Sequence, residues 1–357
     1  MAFDQVVRRL AEKWQEVPSG TDRDERRLSG DMLQLSHADL LAEWTNRNMQ
    51  GAELRDWWWG LYADVLRDWK VLEIGSGMGF DALHFAEAGV NWTCCDVAET
   101  NLQIISKVAA TKGIPVETLL ITSLASFSAL PSDFDAVWCC GSIIHLPFAE
   151  AREECRAVLS HLKPGGRWIE LAYPRERWRR EGAHPFNRWG DLTDGVGTPW
   201  VEWYDMEKLK QRLFPYRLRP LLEHRFHGDQ YIWLDAQIAG QHDEILLPDK
   251  SGGSAGPFTI GEGLWRQGSA VTLPSFEATS VTVEVDCSVT SGTVGLYLER
   301  DGRQISRESF VESRLGGQVI HLSTDEYGEG ARLATRNVSA LGPAGFALAH
   351  IAIRQRL

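Results

Sequence analysis

Eleven residues constrain this chain more than any others: Val71-Leu72-Glu73-Ile74-Gly75-Ser76-Gly77-Met78-Gly79-Phe80-Asp81. A strand-like apolar run enters three alternate glycines, and a helical pattern follows from Asp81 to about Ala88. Glycine tolerates positive φ and leaves the backbone bare, so the spacing predicts a tight strand-to-helix turn that a ligand can approach closely. The helix that follows aims its free N–H groups at the same spot.

Dinucleotide sites use a related G-x-G-x-x-G, but here the third glycine comes one residue early. Asp96 ends the next strand-like run, 17 residues beyond Gly79, where a ribose-binding carboxylate belongs. Downstream lie Phe134-Asp135-Ala136-Val137-Trp138 and Leu162-Lys163-Pro164-Gly165-Gly166-Arg167. Taken together, these motifs resemble class I S-adenosylmethionine-dependent methyltransferases over roughly residues 40–240.

The strand–helix alternation reads as an α/β fold with a doubly wound, Rossmann-like sheet. Strands are expected at Val71–Ile74, Trp92–Cys95, Val116–Ile121, Ala136–Cys140 and Arg167–Ala172, with helices at Asn101–Lys112, Glu150–Leu162 and Asp205–Leu213. Arg217–Phe226 and Tyr231–Ile238 read as a pair around a polar turn. The resemblance makes this a seven-stranded sheet with an antiparallel last strand. Ser36 with Asp39 opens a helix through about Asn48. A further helix, Ala52 to Trp69, carries Trp57-Trp58-Trp59, which cover more than half its circumference, so one of them or Trp44 is a candidate roof for the site.

Residues 1–35 read as a charged helical extension, with Thr21–Arg27 as a solvated segment, and residues 36–240 as the cofactor-binding domain. Residues 241–257 have linker composition, including Ser251-Gly252-Gly253-Ser254. Beyond it tryptophan nearly vanishes and period-two alternation takes over at Ser280–Asp286 and Thr293–Glu299, with a hairpin signal at Arg300-Asp301-Gly302-Arg303. Residues 258–357 are therefore expected to form an all-β sandwich or jelly roll.

The resemblance assigns the cofactor, S-adenosylmethionine. Gly75, Ser76 and Gly77 would pass close to it. Glu73 would hold its amino group or orient the turn, and Asp96 would accept from the ribose hydroxyls. Ser123 and Leu124 stand where the adenine belongs, with hydroxyls replacing the usual acid. Gly141 and Ser142 would lie beneath the sulfonium, and His145 is either a general base or a wall residue. Tyr173 to Tyr204 is long and loop-like for a connection at the carboxyl end of a strand, which marks it as functional. Its Arg175, Arg177, Arg179 and Arg180, with Trp178, His184, Trp200 and Trp203, suit a sugar or anionic acceptor, or else form a solvated basic lid. Tyr173, Glu202 and Tyr204 are further proton-handling candidates.

The net charge of −12 disfavours a nucleic-acid substrate. No run reaches the roughly 18 apolar residues of a membrane span, and Met1–Leu10 lacks the apolar core of a secretory signal. The six cysteines read as reduced and buried, and no cluster has metal spacing. The expectation is a cytoplasmic methyltransferase acting at oxygen or nitrogen of a small-molecule or glycan-like acceptor. A natural-product or peptide acceptor is the alternative. The β-domain would help dock the acceptor or mediate assembly of copies. The rival readings are a non-catalytic methyltransferase-fold module with a carbohydrate-binding β-domain, and a nicotinamide enzyme.

Overall fold

The first strand, β1 (Lys70–Ile74), lies inside a seven-stranded sheet, third from one edge. The computed structural model describes residues 3–16, 28–241, 255–275, 278–313, 317–339 and 342–355. It divides into one unit of Met1–Leu213 with Leu218–Gly240, and a second of Phe214–Arg217 with Gln241–Leu357. Most of the expected linker and the Thr21–Arg27 segment lie outside the described residues.

In the first unit, β2 (Asn91–Asp96), β3 (Glu117–Leu120), β4 (Phe134–Cys140), β5 (Leu162–Ala172), β6 (Tyr216–Phe226) and β7 (Tyr231–Gln241) complete the sheet in the order β3-β2-β1-β4-β5-β7-β6. β1 to β5 pair in parallel, and β7 runs antiparallel to β5. The order reverses at β1, so a crevice opens beyond the carboxyl ends of β1 and β4.

Helices α1 (Phe3–Lys13), α2 (Ser29–Met32), α3 (His37–Gln50) and α4 (Ala52–Tyr62) precede the sheet. Ser36 caps α3, its hydroxyl accepting from the Asp39 N–H at 3.2 Å. α4 stops at Tyr62, well short of Trp69, and the chain reaches β1 through Asp68 at φ +65°. The interstrand helices are α5 (Phe80–Glu87), α6 (Glu99–Lys112) and α7 (Phe148–Leu159).

The segment from Tyr173 to Tyr204 is not one long loop. It holds α8 (Arg175–Arg180) and α9 (Phe186–Thr193), ahead of α10 (Met206–Leu213). Pro174 and Pro185 stand at the two N-caps, where a missing N–H costs nothing. Each helix is too short to display an apolar period, which is why the pattern reads as loop.

The sheet's core face is unusually aromatic. Trp58 stacks on Trp233 at 4.9 Å, and Trp138 meets Trp233 edge-on at 5.1 Å. All three consecutive tryptophans find contacts: Trp58 and Trp59 are buried, and half-buried Trp57 lies against Phe226 and His224.

The second unit is built of antiparallel strands. β8 (Ala255–Ile260), β10 (Val281–Ser291), β14 (Gly317–Thr324) and β16 (Ala344–Gln355) make one sheet, in the order β14-β10-β16-β8. β9 (Arg266–Thr272), β11 (Thr293–Arg300), β12 (Arg303–Gln304), β13 (Ser309–Glu312) and β15 (Arg332–Asn337) make the other. Their buried side chains form one apolar cluster, with Val283 and Val285 from one sheet and Leu296 and Leu298 from the other. The Arg300–Arg303 hairpin closes through Asp301 and Gly302, both at positive φ.

Candidate active site

Three left-handed residues within five make the turn after β1: Gly75 at φ +73°, Gly77 at +52° and Gly79 at +69°. Backbone N–H groups of Gly75 and Ser76 donate to the Cys95 carbonyl on β2, at 2.7 and 3.0 Å. On the other side the Ser142 hydroxyl donates to the Ile74 carbonyl. A Cβ on Gly75 would fall 2.3 Å from the Ser142 Cβ, so no side chain fits in that turn.

Asp96, at the end of β2, faces the same turn. Its Oδ2 accepts from the Gly77 N–H at 2.7 Å, and its Oδ1 accepts from the Ala98 N–H at 2.8 Å. Burial raises its pKa to about 6, against the lowering effect of those bonds. The Asn101 amide also donates to Oδ1, at 3.4 Å, so it is Oδ2 that keeps a lone pair for a further donor. Glu73 is buried and accepts from the Trp92 indole at 3.0 Å. Burial, and then the nearby Asp81, push it up to about 8.

Asp81, in the first turn of α5, was missing from the candidates read off the sequence. Its Oδ1 accepts from the indoles of Trp59 at 2.7 Å and Trp58 at 3.3 Å, and its Oδ2 from Trp138 at 3.0 Å. The Arg55 Nε stands 3.8 Å away. These partners lie up to 57 residues away in sequence. The one local signal is a carboxylate at a helix N-terminus.

Beside β4 and β5 the wall is made of His145, Tyr173 and Asp194. The His145 Nδ1 lies 3.1 Å from the Trp200 carbonyl, and its Nε2 lies 4.0 Å from the Asp194 Oδ2. Burial lowers the His145 pKa, with Asp194 opposing. The Tyr173 hydroxyl donates to the Asp194 Oδ1 at 2.7 Å, and burial holds that phenol well above its usual pKa. Asp194, at the end of α9, is the second residue absent from the sequence reading. Just after α1, Trp14 covers this wall with its ring 4.6 Å from that of His145, and its carbonyl accepts from the Asn101 amide at 3.1 Å.

One cavity of about 510 Å³ joins these parts. It is lined by Glu73, Gly75, Ser76, Gly77, Asp96, Gly141, Ser142, His145 and Tyr173 among the expected residues. Of the roof candidates Trp58 lines it, and of the arginines Arg177; the other expected residues do not. Ser123 caps the turn at Leu124–Ala129, and Ile121 takes the place on the lining that was expected for Ser123 and Leu124. Glu202 is buried against the Lys208 ammonium at 2.5 Å, and Tyr204 is buried beside the Arg212 guanidinium. Trp203 lies under Lys208, Trp178 donates to the His184 carbonyl, and Arg179 is exposed. Trp200 contributes only its backbone carbonyl to His145. These residues consolidate the α8–α9 segment.

The expectation of an anionic acceptor also needs correction. Of the five arginines in that segment only Arg177 reaches the cavity, and it is engaged by the Glu181 carboxylate at 3.0 Å. Acidic residues outnumber basic ones on the wall: Glu16, Glu154 and Asp194 join Glu73, Asp81 and Asp96, against Arg55 and Arg177, though burial pushes Glu154 up to about 7 and Glu73 to about 8.

The donor set fits a sulfonium nucleoside. Bare backbone follows β1, a carboxylate with a free lone pair on Oδ2 ends β2, and acidic groups face the interior where a cation would lie. Among the described residues no helix is long and apolar enough to cross a membrane.

Residues 71–166 match the family described as "Methyltransferase domain". A ubiquinone biosynthesis O-methyltransferase of Chromobacterium violaceum is 31% identical over 100 residues, covering 28% of this chain and 42% of the relative. One from Pseudomonas entomophila is 32% identical over 97 residues, covering 27% and 41%. The chain therefore spans less than half the length of these curated relatives. Among solved structures, the PH0226 protein of Pyrococcus horikoshii is similar at a TM-score of 0.44 and 16% identity, covering 53% of this chain and 90% of that one. Magnesium protoporphyrin IX methyltransferase from Synechocystis with bound S-adenosylhomocysteine gives 0.39 and 18%, covering 53% and 82%. Residues 71–166 thus carry a methyltransferase domain, and they hold both the glycine turn and the Asp96 strand end.

Proposed function

We propose that this protein transfers a methyl group from S-adenosylmethionine to a small-molecule acceptor held against His145, Asp194 and Tyr173. The observation that carries this reading is the continuity of one cavity from the Gly75–Asp96 turn to that wall. S-adenosylmethionine supplies an electrophilic methyl on a sulfonium. The protein's part is to place an acceptor in line with it and to manage a proton.

In this reading Asp96 takes the ribose hydroxyls, Glu73 takes the amino group, and Ile121 covers the adenine. Gly141 and Ser142 lie along the sulfonium. His145, kept neutral by burial, receives the acceptor's proton. Residues 36–240 carry this activity, preceded by the extension 1–35. Residues 258–357, beyond the linker 241–257, serve acceptor capture or assembly of copies.

Titration calorimetry with S-adenosylhomocysteine, followed by mass spectrometry of acceptor pools incubated with methyl-labelled cofactor, tests the proposal. Micromolar binding and a single labelled class of product are expected. Absence of binding would leave a non-catalytic module.

A further inference from the structure

The proton inventory around His145 narrows the acceptor. The Trp200 carbonyl can only accept, so the Nδ1 facing it at 3.1 Å carries a hydrogen. The Gly141 backbone also approaches the ring, and with the hydrogen on Nδ1 the Nε2 of a neutral imidazole is an acceptor. It looks across 4.0 Å at the Asp194 Oδ2, a second acceptor. That separation is too long for a direct hydrogen bond, but one atom about 3 Å from each would span it. Asp194 is held in place by the Tyr173 hydroxyl on its other oxygen. The Thr193 hydroxyl, 3.4 Å from Oδ2, gives its proton to the Trp189 carbonyl at 2.8 Å.

The slot thus asks for a group with two protons to give. A hydroxyl has one, and would leave one of the two buried acceptors without a partner. We infer that the acceptor is an amine, seated with one N–H on the His145 Nε2 and another on the Asp194 Oδ2. This rests on the methyltransferase reading above. The Asp194 carboxylate beside the slot draws such a ligand in as its ammonium. The ammonium gives one proton to Nε2, forming an imidazolium opposite Asp194. The freed lone pair bonds to the methyl carbon, the electrons of the methyl–sulfur bond leave with sulfur, and the product departs as a methylammonium. Asp194 acts here as a positioning residue for both the amine and the imidazolium.

The test uses matched probes on the full-length protein loaded with S-adenosylhomocysteine: benzylamine against benzyl alcohol, and phenethylamine against phenethyl alcohol. Calorimetry should show each amine binding at least about tenfold more tightly than its alcohol. Asp194→Asn should cut amine affinity by about tenfold and move alcohol affinity less than about twofold, whereas a merely structural role would weaken both alike. With labelled S-adenosylmethionine, amines of the panel should gain the label at nitrogen. Equal binding of amines and alcohols by the unaltered protein, label found at oxygen, or parallel losses in Asp194→Asn would overturn the inference. The unaltered protein's preference needs no variant, so it decides the matter even where Asp194→Asn fails to fold. Failure to bind S-adenosylhomocysteine at all would instead remove the reading beneath it.

Discussion

Replacing Asp81 by asparagine tests what holds the roof of the cavity to the sheet. The carboxylate takes two indole N–H groups from α4 and one from β4, and all three tryptophans are buried. An amide has one acceptor oxygen. Turned toward Trp58 and Trp59, it presents an NH₂ to the Trp138 indole, which is fully buried and has no water to turn to. That leaves one buried donor unpaired, at about 1–3 kcal/mol. The two surviving bonds lose their charge assistance, which roughly halves them.

The sum is about 2–4 kcal/mol. For a unit of this size it corresponds to roughly 5–15 °C in melting temperature. Urea unfolding followed by tryptophan fluorescence is the assay, because 14 of the 15 tryptophans precede Lys250 and report the α/β unit. Asp56→Asn, on an exposed face of the same helix, is the control and should shift stability by less than about 0.5 kcal/mol. If Asp81→Asn behaves like the control, the indole cluster does not tie α4 to the sheet.

Two further outcomes concern the site. Asp96→Ala should weaken S-adenosylhomocysteine binding by more than about tenfold in calorimetry, and unchanged affinity would remove the ribose assignment. His145→Ala should lower kcat by about a hundredfold while leaving S-adenosylhomocysteine affinity intact. Because burial lowers the His145 pKa, its base form persists below the ordinary value of about 6.5, so the acid limb of kcat/KM should fall below that pH. An acid limb at or above about 6.5 would assign the base elsewhere.

The glycine turn, the strand order it begins and Asp96 were legible because their physics is local. Positive φ at Gly75, Gly77 and Gly79 and a carboxylate at a strand end leave a mark within a few residues. Asp81 and Asp194 left none. The first matters because Trp58, Trp59 and Trp138 converge on it, and the second because a turn of α9 carries it to His145. The aromatic–arginine segment misled for the opposite reason. Its composition suits ligand binding, but Trp178 donates to the His184 carbonyl, Glu202 pairs with Lys208, and Trp203 packs its ring under that same ammonium. In the second unit, β8, β9, β13 and β15 went unread because short strands carry little alternation.

Glu73 links the cavity's charge to a measurable quantity. With its pKa raised to about 8, about nine in ten molecules carry its proton at pH 7. A group raised in this way binds more protons folded than unfolded, so its burial costs stability increasingly as pH rises from about 4.5 to about 8. An ammonium placed beside it favours the carboxylate and drives that proton off. Binding of S-adenosylhomocysteine at pH 7 should therefore release up to about one proton. Calorimetry in two buffers of different ionisation enthalpy reads this directly as a difference in apparent binding enthalpy. Glu73→Gln, which has no proton to lose, should reduce the release. Asp96, raised to about 6, is already largely ionised at that pH and contributes little. Binding heats that are the same in both buffers would mean that Glu73 only braces the turn through the Trp92 indole, and that the amino group is held by something else.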